Sequence, residues 1–141
     1  MSGTTLCLFS VTGKPRVKGN VIRGRTGGYH DATKGLTPWM DAIRKAARDA
    51  WGDGEPFGGA VRVDVHLDIP ARATDVLRNG LRDGIEPVTR SAGDLDKLAR
   101  ACLDALTGIV YVDDSQVVDL RARKRYAIDG GATITVMEAS A

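Results

Sequence analysis

The chain predicts an α+β domain, with two helices packed on one mixed β-sheet. Three observations predict it. Val61, Val63, Val65, Leu67 and Ile69 alternate with Arg62, Asp64, His66 and Asp68, the period of a half-buried strand. Two other segments, one opening at Thr37-Pro38 and one near Asp94, repeat their apolar residues at helical spacing. With 141 residues, 43% of them hydrophobic, the chain can build one real core and is short for two. Residues 1–141 are therefore read as a single domain.

The elements follow in order. Thr4 to Val11 is rich in β-formers and reads as the first strand. Residues 12–35 are Gly-rich, basic and weakly periodic. They read as a long loop of the kind that is functional or mobile. Thr37 then serves as a helix N-cap with Pro38 at the first helical position. Trp39, Met40, Ile43, Ala46, Ala47, Ala50 and Trp51 make the apolar face of that helix, and Gly52 and Gly54 end it. The tryptophans have the spacing of core residues, although their rings could also stack on bases. The Val61 to Ile69 strand stops at Pro70, with His66 on its polar side. Ala71 to Ala92 has no clear period and reads as irregular. The second helix begins near Asp94, buries Leu95, Leu98, Ala99, Cys102, Ala105 and Leu106, and ends at Gly108 in a left-handed cap. Ile109 to Val112 reads as a short extended piece. Gln116 to Tyr126 and Ala132 to Glu138 read as two strands joined at Asp129-Gly130-Gly131. The order is β-α-β-α-β-β, which places the helices on one mixed sheet.

The net charge is only +2, so the distribution carries more information than the total. Lys14, Arg16, Lys18, Arg23, Arg25 and Lys34 fall in one stretch with the single acid Asp31, and Arg121, Arg123, Lys124 and Arg125 form a second basic run. The acids concentrate around residues 94 to 119. Cations that hold phosphates around acids that hold metal are the pattern of a nuclease. The plainer reading places the same charges on solvated loops. Cys7 and Cys102 lie in apolar periodic segments and read as buried thiols, with no zinc site. No signal peptide is evident, and Leu6 to Val11 is too short to span a membrane, so a cytoplasmic protein is expected.

Five aspartates, Asp94, Asp96, Asp104, Asp113 and Asp114, fall within 21 residues of an otherwise apolar frame. Clustered carboxylates repel one another unless a cation lies between them, and hard oxygen donors suit Mg²⁺ or Mn²⁺. Plainer roles exist for several of them. Asp94 can cap the second helix. Asp96, Arg100 and Asp104 are spaced four apart and can pair along it. At 1.5 Å per residue, that helix spans about 20 Å from Asp94 to Gly108. Spacing alone therefore does not put Asp114 beside Asp94. Either the chain runs back along the helix, or a second subunit supplies the neighbouring ligand.

The run D-L-D-x-L-x-x-A-x-x-D-A-L-T-G from Asp94, followed by V-D-D-S-Q-V-V from Val112, resembles the RusA family of Holliday-junction resolvases. Gly13-Lys14-Pro15-Arg16-Val17-Lys18 is similar to a G-x-P-x-x-K segment of that family. The resemblance implies a small α+β homodimer, phage- or prophage-encoded, that binds four-way junction DNA. It also implies that Mg²⁺ is required and that two strands are cut symmetrically. On the matching positions it implies metal ligation and catalysis by Asp94, Asp96 and Asp114, and leaves Asp104 and Asp113 less defined. Relatives usually carry Asn at Lys97 and Lys at Arg100. Arg100 keeps the positive charge but is essentially never deprotonated, so an electrostatic role survives the exchange. Lys97 is the other candidate for the lysine role. Lys14, Arg16, Lys18, Arg23 and Arg25 are expected to contact DNA phosphates. The dimer is expected to use a sheet edge, or Val110, Val112, Val117 and Leu120. The alternative is a non-catalytic nucleic-acid-binding recombination module whose acidic cluster is structural.

Overall fold

A computed structural model describes residues 3–19, 21–31, 33–78 and 80–139. The elements run β1 (Thr5–Thr12), β2 (Val21–Arg23), β3 (Tyr29–Asp31), α1 (Leu36–Trp51), β4 (Val61–Pro70), β5 (Val76–Leu77), β6 (Gly80–Leu81), α2 (Leu95–Leu106), β7 (Val117–Ala127) and β8 (Gly131–Glu138). Four strands form the main sheet in the order β1-β8-β4-β7. β4 and β7 are parallel, while β8 runs antiparallel to both β1 and β4. The sheet is mixed, with helices packed on one face, as the sequence predicts.

Alternation decides which face is buried. Val61, Val63, Val65, Leu67 and Ile69 point into the core beside Cys7, Phe9, Ala132, Ile134 and Val136. Trp39, Met40, Ile43 and Ala47 of α1 and Leu98, Ala101, Cys102, Ala105 and Leu106 of α2 close that core from above. Both cysteines are buried free thiols, and burial pushes Cys102 up to about 12. The opposite sheet face carries charge in register: Arg62 lies opposite Asp119, Asp64 opposite Arg121, His66 opposite Arg123 and Asp68 opposite Arg125. Arg125 donates to Asp68 at 2.8 Å, and His66 is exposed, as expected of the polar side.

Several local readings change. α1 begins at Leu36 rather than after Thr37, with Gly35 as N-cap in the left-handed region (φ 81°) and no side-chain cap. Leu36 is buried, so packing extends the helix backwards. Pro38 still costs no helical bond, because the first-turn N–H groups have no partner within the helix. The 12–35 stretch holds the β2–β3 hairpin. Its Lys14 to Lys18 portion lies along α2, where the Lys18 N–H donates to the Lys97 carbonyl at 3.1 Å. The 71–92 segment contains the β5–β6 pair and the buried Asp75, which Arg72 holds at 2.9 Å. Of Ile109 to Val112, only Tyr111 is bridged as an extended residue, to Phe57 and Thr107. The chain turns there, with Ile109 and Val110 N–H both donating to Leu106 O at 3.1 Å and Gly108 N–H to Tyr111 O at 2.7 Å. That turn seals Val110 and Tyr111 inside, so Val110 is unavailable as a dimer contact. Val112 and Leu120 remain exposed, and Val117 is half-buried.

Candidate functional site

α2 is the spine of the site. Residues four apart share one face of a helix, so Asp96, Arg100 and Asp104 form a stripe along it. Asp94 occupies the N-cap position, yet its side chain makes no capping hydrogen bond. Its carboxylate is 72% exposed and stands 4.0 Å from the Lys97 ammonium. The capping role that the sequence allows is therefore not what this carboxylate does.

At the other end of α2, the D-D-S-Q motif divides its work. Asp113 Oδ2 accepts from the Ser115 N–H at 3.0 Å. Gln116 Oε1 accepts from the N–H groups of Val112 and Asp113 at 2.8 and 2.9 Å. Together these close a capping box around a one-turn helix at Asp114–Gln116. Gln116 Nε2 meanwhile donates to the carbonyls of Phe57 and Gly59, both at 2.8 Å, pinning the turn to the segment before β4. Asp113 is held below the usual carboxylate range by its Ser115 hydrogen bonds. Asp114 takes no part in the box, and its carboxyl group lies close to that of Asp104 on α2.

The electrostatics follow from that proximity. Asp114 is pushed above the usual range by desolvation first, then by the nearby Asp104 carboxyl group and by the charge of Asp113, while Arg100 opposes the shift. The Lys18 ammonium donates to Asp104 Oδ2 at 2.5 Å, with both side chains mostly shielded. Asp104 thus pairs with a cation 86 residues away rather than with Arg100 along its own helix. The Lys18 and Gly19 backbone also lies beside Lys97 and Arg100. Burial raises the hydroxyl of the neighbouring Tyr111, which donates to Leu103 O at 2.7 Å.

The predicted site residues thus fall into two groups. Asp114, Arg100, Asp104 and Lys18 converge near the end of α2, and Asp94, Asp96 and Lys97 stand at its start. Eight residues of helix separate Asp96 from Asp104, about 12 Å. Among the described residues, no group of three or more Asp, Glu, His or Cys side chains converges on one point. Arg23 and Arg25 are exposed on the 12–35 segment, beyond the acidic residues. Sequence reasoning missed Gln116 as the anchor of the turn and Asp104 as the partner of Asp114. The glutamine's fixed place after D-D-S was the available signal for the first.

The donor set suits a hard divalent cation. It consists of carboxylates, and two of them, Asp104 and Asp114, lie close enough for Asp104 to help raise Asp114, an arrangement that a cation would relieve.

The chain matches the family description Endodeoxyribonuclease RusA over residues 12–137. It is also 37% identical over 57 residues to the "Uncharacterized protein YqaN" of Bacillus subtilis (strain 168), an alignment covering 40% of this chain and 39% of that protein. The family match takes in the basic segment, both helices and the whole acidic stripe, and the chain belongs to the RusA endodeoxyribonuclease family.

Proposed function

We propose that this chain is a structure-selective, divalent-metal-dependent endodeoxyribonuclease that resolves Holliday junctions by paired symmetric cuts. The observation that carries the reading is the freed carboxylate of Asp114, left out of the Asp113–Gln116 capping box and turned onto the acidic face of α2. The box engages only its first and last residues, Asp113 and Gln116, which leaves the Asp114 carboxylate available, and the family match supports a metal-binding reading of it.

Asp94 and Asp96 at the start of α2 and Asp114 near its end are the residues that would hold Mg²⁺ or Mn²⁺; with about 12 Å of helix between the two groups, a site that uses all three draws them from two subunits. When bound, the ion supplies a polarised phosphate and an activated water. Asp94 and Asp96 offer exposed carboxylates at one end of the stripe, and Asp114 offers one at the other. Lys97 and Arg100 lie between them and stabilise negative charge on the phosphate as it builds up. Lys14, Arg16, Arg23 and Arg25 hold the DNA backbone, and Lys18 joins them when it leaves Asp104. A four-way junction needs two symmetry-related cuts, which a two-fold dimer presents naturally. Exposed Val112 and Leu120, and the edge strands β1 and β7, are the candidate dimer surfaces. Among the described residues, no helix is long and apolar enough to cross a membrane.

The test is cleavage of a synthetic four-way junction with and without Mg²⁺. Cutting that survives excess EDTA removes the metal from the reading. Linear duplex cut as fast as the junction removes the structure selectivity. One observation favours a second reading, a non-catalytic nucleic-acid-binding recombination module: Lys18 already neutralises Asp104, as in a structural acidic cluster. Calorimetry showing no Mg²⁺ or Mn²⁺ binding to the folded chain would select that reading.

A further inference from the structure

Three surface hollows, of about 330, 180 and 120 Å³, meet at Lys14. The first reaches past Arg16 to Trp39 at the start of α1. The second runs over Thr89 and Ser91 to Arg72. The third passes Arg90 to Gly93 and Leu98, at the start of α2. Four cations line this trough: Lys14, Arg16, Arg72 and Arg90. The chain has 18 acidic residues, yet none lines any of the three hollows among the described residues. Among the described residues, only Arg72 is ion-paired there, to the buried Asp75.

A second observation is independent of charge. Trp39 is 3% exposed, and its indole N–H has no hydrogen-bond partner. An orphaned buried donor is costly and calls for an explanation. Trp39 lines the largest of the three hollows, but its nitrogen is closed off from solvent, so a strand seated there would meet the ring rather than its N–H.

We infer that this trough seats the sugar–phosphate backbone of one DNA strand and leads it to the start of α2. The inference rests on the DNA reading above. It extends the interface to the 72–92 connection, which the sequence presents only as an irregular segment. Guanidinium and ammonium groups spaced along a groove, with the Thr89 and Ser91 hydroxyls between them, fit successive phosphates rather than one isolated anion. The third hollow ends at Gly93, directly before Asp94, so a strand lying in it arrives at the acidic stripe. Gly93 adopts φ +91°, and a Cβ there would meet Val17 Cγ1 at 2.7 Å, so its bare backbone lets the basic segment lie against the helix start.

The experiment measures four-way junction binding in EDTA, where cutting is not needed, across a range of salt. Arg90→Gln, Lys14→Gln and the double change Thr89→Ala with Ser91→Ala are compared with wild type. Arg48→Gln, on an exposed turn of α1 away from the trough, is the control. Each lost phosphate contact should reduce the slope of log affinity against log salt by about one. Arg90→Gln and Lys14→Gln should show that drop and Arg48→Gln should not. The hydroxyl variant should weaken binding with the slope kept. In a Trp51→Phe background, Trp39 emission should respond to an added oligonucleotide and not to inorganic phosphate at equal phosphate concentration. Wild-type slope and affinity in Arg90→Gln would overturn the trough while leaving a DNA-binding wild type intact. An equal response of Trp39 to inorganic phosphate would replace the strand with a simple anion site. A wild type that binds no DNA at all would overturn the trough and the functional reading together.

Discussion

Lys18 and Asp104 are ion-paired at 2.5 Å across 86 residues of chain, and this contact ties the basic N-terminal segment to the acidic stripe of α2. Both side chains are mostly shielded, so the pair is screened less than a surface one. It also stands beside the neighbouring Asp104 and Asp114 carboxyl groups, so one ammonium offsets part of the repulsion between them. The stripe is therefore internally neutralised, and a divalent cation must compete with Lys18 for it.

Replacing Lys18 by Met should expose that competition. Loss of a partly shielded ion pair should lower stability by about 1 kcal/mol, read from the denaturation midpoint. Mg²⁺ or Mn²⁺ should bind several-fold more tightly by calorimetry, because the carboxylates lose their resident cation. Unchanged or weaker metal binding would mean that Asp104 lies outside the metal's reach.

The adjacent aspartates Asp113 and Asp114 should titrate in opposite senses. Asp113 is held low by Ser115 hydrogen bonds, so its contribution to stability is present above the usual carboxylate range and is lost as pH falls through its lowered value. Asp114 is held high by desolvation and by Asp104, so the folded chain binds its proton more tightly than the unfolded chain. Stability from that group is present at low pH and declines as pH rises through its raised value. Carboxyl ¹³C titration should resolve the two, and Asp104→Asn should bring Asp114 down toward the ordinary range. Coincident titration of both residues would contradict the geometry.

Asp94→Asn, Asp96→Asn and Asp114→Asn should each abolish junction cutting with binding retained or tightened. Asn keeps the size and removes the charge that a metal needs. Because the Asp94 carboxylate caps nothing, Asp94→Asn should change stability by no more than about 0.5 kcal/mol. A larger loss in thermal unfolding, with binding gone, would return Asp94 to a structural role.

Gln116→Ala should damage the fold more than any of these. It removes four hydrogen bonds at once, two to the Val112 and Asp113 N–H groups and two to the Phe57 and Gly59 carbonyls. The expected cost is about 2 to 4 kcal/mol. Cutting should fall as well, since the turn that aims Asp114 is no longer fixed. Stability kept with activity lost would give the glutamine a role in chemistry instead.

Much of the architecture was legible because it is local. Alternation over Val61–Pro70 and helical spacing over Leu95–Leu106 report which face of each element is buried, and burial is what those elements exist to achieve. The buried face of each helix follows from such patterns; the sheet order does not, because β1 pairs with β8 and β4 with β7 across long stretches of chain. Where the sequence misled, packing had overridden a local preference: buried Leu36 drew α1 back past its Thr-Pro signal, and buried Tyr111 bent an apolar run into a turn.

The sequence by itself determined an α+β fold carrying a dense aspartate stripe between basic segments, because charge and periodicity are properties of neighbours along the chain. Only the tertiary structure decided how those aspartates are employed. Asp113 and Gln116 brace a turn, Asp114 is aimed at Asp104, and Lys18 crosses from the far end of the sequence to neutralise the pair. Asp94 keeps its carboxylate in solvent although it sits where a cap belongs. A carboxylate's role is set by what lies within a few ångströms of it, and around α2 those neighbours come from segments that only folding brings together.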